Sequence, residues 1–140
     1  MNEYEVIRVH PDKYYSAWKT VRKLLEPAIK ESGGRWQNEY VFAALVTRRQ
    51  DLWVIVENNA ETVAAFTTEI AAYPEKKMVA IHFLGGQGFN EWYPNMLKAV
   101  SEFGKQAGCD GIECLARSGF WKWFKQDGWE RRSVFYEIAI

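Results

Sequence analysis

A short glycine-rich run is the feature of this sequence most suited to binding chemistry. It reads Leu84-Gly85-Gly86-Gln87-Gly88, follows an apolar stretch and precedes a helix-like pattern with Asn90 as a candidate N-cap. Glycines let backbone N–H groups approach an anion, and a following helix N-terminus adds positive potential. The run therefore predicts a pyrophosphate site. The alternative is a tight strand-to-helix turn that needs positive backbone angles.

The same run excludes two common nucleotide-binding motifs. No Gly-Lys-Ser or Gly-Lys-Thr follows it, so it is not a P-loop. Its glycines also lack the G-x-G-x-x-G spacing of a dinucleotide fingerprint.

Two side chains upstream of the run are candidates for proton transfer. His82 lies near the end of the preceding predicted strand, where a neutral imidazole would face a cleft. Glu69, one strand earlier, would pair with it or replace it as the base, and Glu113 is a third candidate. The alternative for each is structural, because a lone strand histidine is usually a hydrogen-bonded core or rim residue and a strand glutamate is usually solvated.

Arg117 follows a later predicted strand, and its guanidinium would bind a phosphate or carboxylate in a bidentate manner. The alternative is a structural arginine that caps the sheet edge or stacks on Trp121. An aromatic cluster nearby would hold an acyl or adenine group, or would simply be core. Its members are Trp121, Trp123, Phe124 and Trp129.

Hydrophobic periodicity predicts the elements that position these residues. Strands are predicted at 4–9, 52–56, 62–73, 78–84, 111–116 and 133–140. Helices are predicted from Pro11 to Gly33, with Pro27 as a break or kink, and at 37–49, 90–107 and 120–126. The resulting order is β-α-α-β-β-β-α-β-α-β. It predicts one α/β domain over residues 1–140, with helices on both faces of a mixed, mainly antiparallel sheet.

Composition limits the classes of partner. Eighteen basic residues balance eighteen acidic ones, which disfavours nucleic acid as a partner. No apolar run approaches the roughly 20 residues needed to span a bilayer, so we expect a cytoplasmic protein. Cys109 and Cys114 lack the spacing of a zinc site, and no metal is expected. Two buried, reduced thiols are expected there rather than a disulfide.

The order of elements and several residues resemble the GNAT acetyltransferases. The stretch from Phe124 to Gly128-Trp129 is similar to that family's Tyr-x-x-x-Gly-Phe ending. The resemblance implies acetyl-CoA as co-substrate, with its pyrophosphate on residues 84–88 and the helix start at Asn90, and with Arg117 nearby. It also implies an amine acceptor, with His82 or Glu69 as base.

A more specific resemblance is to short GNAT-like proteins of tailed phages. Those proteins share a Gly-Gly pair, a Trp early in the next helix, Gly-Cys before a strand and an Arg-x-Gly-aromatic stretch. The matching residues here are Gly85-Gly86, Trp92, Gly108-Cys109 and Arg117 to Trp121.

Two departures from the GNAT pattern keep a second function open. The glycines come earlier than in the family's Gln/Arg-x-x-Gly-x-Gly/Ala loop, and Phe124 replaces a tyrosine that protonates the leaving thiolate in many members. The alternative is a non-catalytic phage protein that contacts other phage proteins, within the virion or elsewhere. In either case, exposed edge strands would permit a homo-oligomer.

Overall fold

The computed structural model describes residues 2–140 and contains one five-stranded sheet. Its strands are β1 (Tyr4–Arg8), β2 (Asp51–Glu57), β3 (Glu61–Ala72), β4 (Lys77–Gly86) and β5 (Gly111–Cys114). They lie in sequence order across the sheet, and each neighbouring pair from β1 to β4 is antiparallel. Only β4 and β5 are parallel, so the predicted mixed and mainly antiparallel sheet is confirmed.

Helices cover both faces of this sheet. They are α1 (Tyr14–Lys30), α2 (Asn38–Val46), α3 (Phe89–Gln106) and the single turn α4 (Trp121–Phe124). Short 3-10 turns occupy Pro11–Lys13, Ser118–Phe120 and Lys125–Asp127. The predicted break at Pro27 does not occur, because α1 continues through it to Lys30.

Each face has its own hydrophobic core. Residues of α1 at three- and four-residue spacing, including Val21, Leu25 and Ile29, are buried against one face. Trp92, Met96 and Val100 of α3 form the same kind of stripe against the other face. This arrangement confirms the predicted placement of helices on both sides.

Gly85 is the point at which α1 crosses β4. A Cβ atom built on Gly85 would lie 1.9 Å from the carbonyl oxygen of Leu24, far inside van der Waals contact. At Gly86 the backbone has a φ of 135°, and a Cβ would lie 2.4 Å from the oxygen of Val63. Packing of the backbone therefore requires both glycines, whatever else they do.

A bulge in β4 sets the shape of the site. Phe66 pairs with Leu84, but Thr68 pairs with Ile81, so the single residue Thr67 faces both His82 and Phe83. The pairing of β5 with β4 also ends at Ile81. The two parallel strands therefore separate just where the bulge turns β4.

The predicted final strand at 133–140 is wrong. These residues form no ladder with the sheet, although their apolar side chains alternate as in a strand. Strand formation needs a hydrogen-bonding neighbour, which alternation alone does not supply. Instead, Phe135 and Glu137 contact Arg35, through a cation–π contact at 4.8 Å and an ion pair at 3.1 Å.

Candidate active site

A cleft opens where β4 and β5 separate. Its volume is about 260 Å³, and α1, β4, α3 and the segment after β5 line it. Most of its walls are apolar, among them Leu24, Ile81, Met96, Phe124 and Trp129. The lining contains one carboxylate, that of Glu31, and one guanidinium, that of Arg117. The imidazole of His82 also belongs to it. The cleft can therefore take a long, largely uncharged chain.

His82 and Glu69 meet at the edge of this cleft. Nε2 of His82 lies 2.8 Å from Oε1 of Glu69, and each side chain is 31% exposed. An ionised Glu69 accepts a hydrogen bond from Nε2–H, which leaves Nδ1 as the basic nitrogen of a neutral imidazole. The predicted pairing of these two residues is present, and His82 also lines the cleft.

Trp36 is the aromatic neighbour of His82 and Phe83. Its ring centroid lies 6.5 Å from that of His82 and 5.5 Å from that of Phe83, the second residue of the bulge. Trp36 lies in the α1–α2 loop, whose backbone is held by a 3.0 Å hydrogen bond from Trp36 N–H to Oγ of Ser32. The bulge residues are thus fixed by contacts from β3 and from this loop.

Glu113, the third predicted candidate, has a different partner. Ala80 pairs with Glu69 on one side and with Glu113 on the other, so the two glutamates flank one small residue. The hydroxyl of Tyr73 donates a 2.6 Å hydrogen bond to Glu113, and this bond raises the pKa of Tyr73. Glu113 therefore links β5 to the residue that follows β3, and Glu69 is the glutamate that contacts His82.

The glycine-rich run is less open than the sequence predicts. Leu84, Gly85 and Gly86 belong to β4 and line the cleft. The N–H of Gln87 donates to the oxygen of Val63 at 3.2 Å, and the oxygen of Gln87 accepts a 2.7 Å hydrogen bond from the Trp92 indole. The backbone N–H of Gln87 is therefore not free for an anion.

The start of α3 supplies the remaining donors. Gly88, with a φ of 77°, is the N-cap, so the prediction of Asn90 as N-cap is wrong. Asn90 is instead the exposed second residue of α3. The first N–H groups of an α-helix have no partner within the helix, so this turn still offers donors and positive potential to an anion.

Arg117 lies at the mouth of the cleft. Its Nη1 is 3.6 Å from Oε1 of Glu31, which lies directly after α1. Both side chains are more than half exposed. The alternative of stacking on Trp121 does not occur, because the guanidinium on that ring belongs to Arg131. Arg117 is thus placed to meet an anionic group, but Glu31 competes for it.

The aromatic cluster closes the far side of the cleft. Phe124 stacks on Trp129 with ring centroids 4.4 Å apart, and both line the cleft. The indole N–H of Trp129 donates a 2.9 Å hydrogen bond to Tyr93, whose pKa is raised to about 12, chiefly by burial. The Tyr93 hydroxyl is therefore engaged with the cluster and does not replace the hydroxyl that Phe124 lacks.

The two cysteines are free thiols, and both are half-buried rather than fully buried as predicted. Cys114 lines the cleft next to Ile81. Burial, with a smaller contribution from the charge of Glu113, raises the pKa of Cys114 to about 11. It is consequently a neutral thiol at physiological pH.

Sequence reasoning did not single out Trp36 or Glu31. A tryptophan two residues after a Gly-Gly pair was a signal for Trp36, because such a turn can return the ring to the sheet. Nothing local marked Glu31, because its partner Arg117 is far away in the sequence.

Two further observations concern residues 2–140. No helix within this range is long and apolar enough to cross a membrane. No group of three or more His, Cys, Asp or Glu residues in the same range is arranged to hold a metal ion.

Solved acetyltransferases have this fold. A putative acetyl transferase from Pyrococcus furiosus superposes with a TM-score of 0.70 and 17% identity, over 99% of this chain and 100% of that chain. A predicted acetyltransferase from Clostridium acetobutylicum, solved with acetyl-CoA, superposes with a TM-score of 0.66 and 15% identity, over 99% and 96%.

An aminoglycoside acetyltransferase from an uncultured soil metagenomic sample, in complex with sisomicin, gives a TM-score of 0.68 at 15% identity, over 98% and 96% of the two chains. No protein-family model matches this chain, and no curated protein does. The likeness is thus one of architecture: the chain has the GNAT-like fold of acetyltransferases.

Proposed function

We propose that this protein is an N-acetyltransferase that moves an acetyl group from acetyl-CoA to an amine. The observation that carries the proposal is the position of His82. This one side chain lines the cleft between β4 and β5 and also lies 2.8 Å from Glu69. A base at that point would reach an amine that attacks an acyl group held in the cleft.

The cleft suits the co-substrate at both ends. Its apolar walls would hold the pantetheine arm, while the helix start at Phe89 and the guanidinium of Arg117 would meet the phosphates. Leu84, Gly85 and Gly86 would line the path of the arm, whereas Gln87 and the side chain of Asn90 would contribute little. The acetyl-CoA complex of the Clostridium acetobutylicum protein with the same fold supports this co-substrate.

His82 and Glu69 would carry the proton chemistry. The amine nitrogen forms a bond to the acetyl carbonyl carbon as the bond from that carbon to sulfur breaks. Nδ1 of His82 takes the proton that the amine loses, and Glu69 stabilises the resulting imidazolium. Because Phe124 has no hydroxyl, the departing thiolate would receive its proton from the imidazolium or from water.

A titration of acetyl-CoA into the protein, followed by calorimetry, tests the binding half of the proposal. Ala116 is exposed and lines the cleft, so Ala116→Trp should fill it and abolish saturable binding. Ala60→Trp, on the exposed β2–β3 turn, is the matched control and should bind as the wild type does. Absence of binding to the wild-type protein at millimolar acetyl-CoA would contradict the proposal.

A non-catalytic interaction module is the second candidate, and the C-terminal segment favours it. Val134, Tyr136, Ile138 and Ile140 are all at least 60% exposed and alternate along the sequence. Such a row could pair with another protein, which in a phage would include a virion component, or with a second copy. Light scattering on the wild type and on a chain ending at Arg132 tests self-association. If the wild type and the shortened chain are both active monomers, self-association through this segment is not required for function.

A further inference from the structure

Trp36 is a partly buried aromatic residue whose position the chemistry above does not yet use. Its ring centroid lies 6.5 Å from that of His82, and part of the ring packs against the buried core on the α1 face of the sheet. A ligand that approaches His82 from the α1–α2 loop would therefore meet the exposed part of the indole.

The faces of the indole are not occupied by a cation of this protein. Trp121 and Trp123 carry Arg131 and Lys122 over their rings at 4.6 and 5.1 Å. Within residues 2–140, no such contact involves Trp36. The neighbouring Arg35 is turned away, because it binds Glu137 and stacks on Phe135.

The groups around Trp36 favour a positive ligand. Glu69, across His82, is 31% exposed and provides a carboxylate, and a tryptophan face attracts an ammonium within about 6 Å of its centroid. A primary amine is protonated at neutral pH, so it must arrive as an ammonium ion before the base removes a proton.

We infer that Trp36 is a specificity-determining residue that binds the acceptor as a cationic amine against its indole, next to His82 and the Glu69 carboxylate. This inference rests on the proposed function for the identity of the site. In the bound state, the ammonium lies against the indole and loses one proton to water, and Nδ1 of His82 then accepts the second proton as the nitrogen bonds to the acyl carbon. Neutral nucleophiles such as alcohols are selected against, because they gain nothing from either contact.

The loop geometry keeps Trp36 in place for this role. Arg35 Nη1 donates to the oxygen of Ser32 at 3.0 Å, and Trp36 N–H donates to Oγ of the same serine at 3.0 Å. The Gly33 and Gly34 backbones have φ values of 65° and 87°, which glycine adopts without strain. The loop is thus built to present the ring rather than to let it swing freely.

Fluorine NMR of protein labelled with 5-fluorotryptophan tests the inference without requiring acetyl transfer. The resonance absent in Trp36→Phe identifies Trp36 among the seven tryptophans, and Trp121→Phe provides a control assignment. The probes are 1,4-diaminobutane and the neutral 1,4-butanediol, which has the same chain length. We expect the Trp36 resonance to shift saturably with the diamine and not with the diol.

The inference is overturned if both probes shift Trp36 equally, or if neither shifts it. Because this readout is independent of acetyl-CoA, a protein that binds the diamine but does not bind acetyl-CoA would disprove the proposed function and not the cation site. For acetyl transfer to the same diamine, Trp36→Leu should raise the KM for the amine about tenfold with little change in the KM for acetyl-CoA. Trp36→Phe should restore most of that loss because it keeps an aromatic face. Equal behaviour of the Leu and Phe variants would indicate a packing role only.

Discussion

His82 and Glu69 are diagonal neighbours on adjacent strands, with Nε2 and Oε1 2.8 Å apart. Glu69 pairs with Ala80 in the ladder, two residues before the histidine. The extra residue in β4 increases the local twist and places the imidazole at the point where β4 leaves β5. The acid–base pair therefore lies at the opening of the cleft.

Replacement of Gly85 should be severely destabilising, since its Cβ would overlap the Leu24 carbonyl of α1. Overpacking of this kind typically costs 1–3 kcal/mol, and here backbone meets backbone, so we expect Gly85→Ala to cost about 3 kcal/mol or more. Gly119→Ala is the matched control, because nothing lies within 4 Å of its Cβ position. Urea unfolding checks both variants, and similar midpoints would show that α1 does not approach β4 so closely.

The glycine pair shows how far sequence reasoning reaches. Its place between a strand and a helix was predictable, because turn-forming glycines and the periodicity of apolar residues are local signals. The approach of Leu24 to Gly85 joins residues far apart in the sequence and leaves no local signal. The sequence therefore predicted a ligand-binding role for glycines that backbone packing alone requires. The same limit applies to Trp36, which reaches His82 from a loop 46 positions earlier in the chain.

Strand pairing was predictable only in part. Alternation predicted β1 to β5 and also predicted a strand at 133–140, where the side chains alternate but no ladder forms. The pairing of His82 with Glu69 was expected from adjacent strands, whereas the bulge next to them has no signal in residue type.

Removal of the Glu31 carboxylate should tighten acetyl-CoA binding. Glu31 neutralises Arg117 at the mouth of the cleft, and an exposed ion pair of this kind contributes up to about 1 kcal/mol. We therefore expect Glu31→Gln to lower the Kd by about two- to fivefold, and Arg117→Gln to raise it. Calorimetry at two salt concentrations checks this, because the difference should shrink as salt screens the charges. An unchanged Kd in both variants would place the phosphates elsewhere.

Cys114 should alkylate slowly at neutral pH and be protected by acetyl-CoA. With its pKa raised to about 11, about one Cys114 thiol in a thousand is ionised at pH 8, and the thiolate is the reacting form. Its reaction with iodoacetamide in Cys109→Ser protein should therefore accelerate about tenfold for each pH unit from 8 to 10. Because Cys114 lines the cleft, saturating acetyl-CoA should slow the reaction at pH 9.5. A rate that levels off below pH 9, or that ignores the ligand, would contradict this position.

The most direct test of the account is the rate at which CoA thiol is released from acetyl-CoA with 1,4-diaminobutane, compared among wild type, His82→Ala, Glu69→Gln and Glu61→Gln. Glu61 is an exposed glutamate at the start of β3 and serves as the matched control. A general base contributes about 10²- to 10⁴-fold, so His82→Ala should lower kcat at least about a hundredfold, with the Kd for acetyl-CoA unchanged. Glu69→Gln should lower kcat less, and Glu61→Gln should not change it. A His82→Ala protein that keeps the wild-type kcat would contradict the central claim that this histidine is the base.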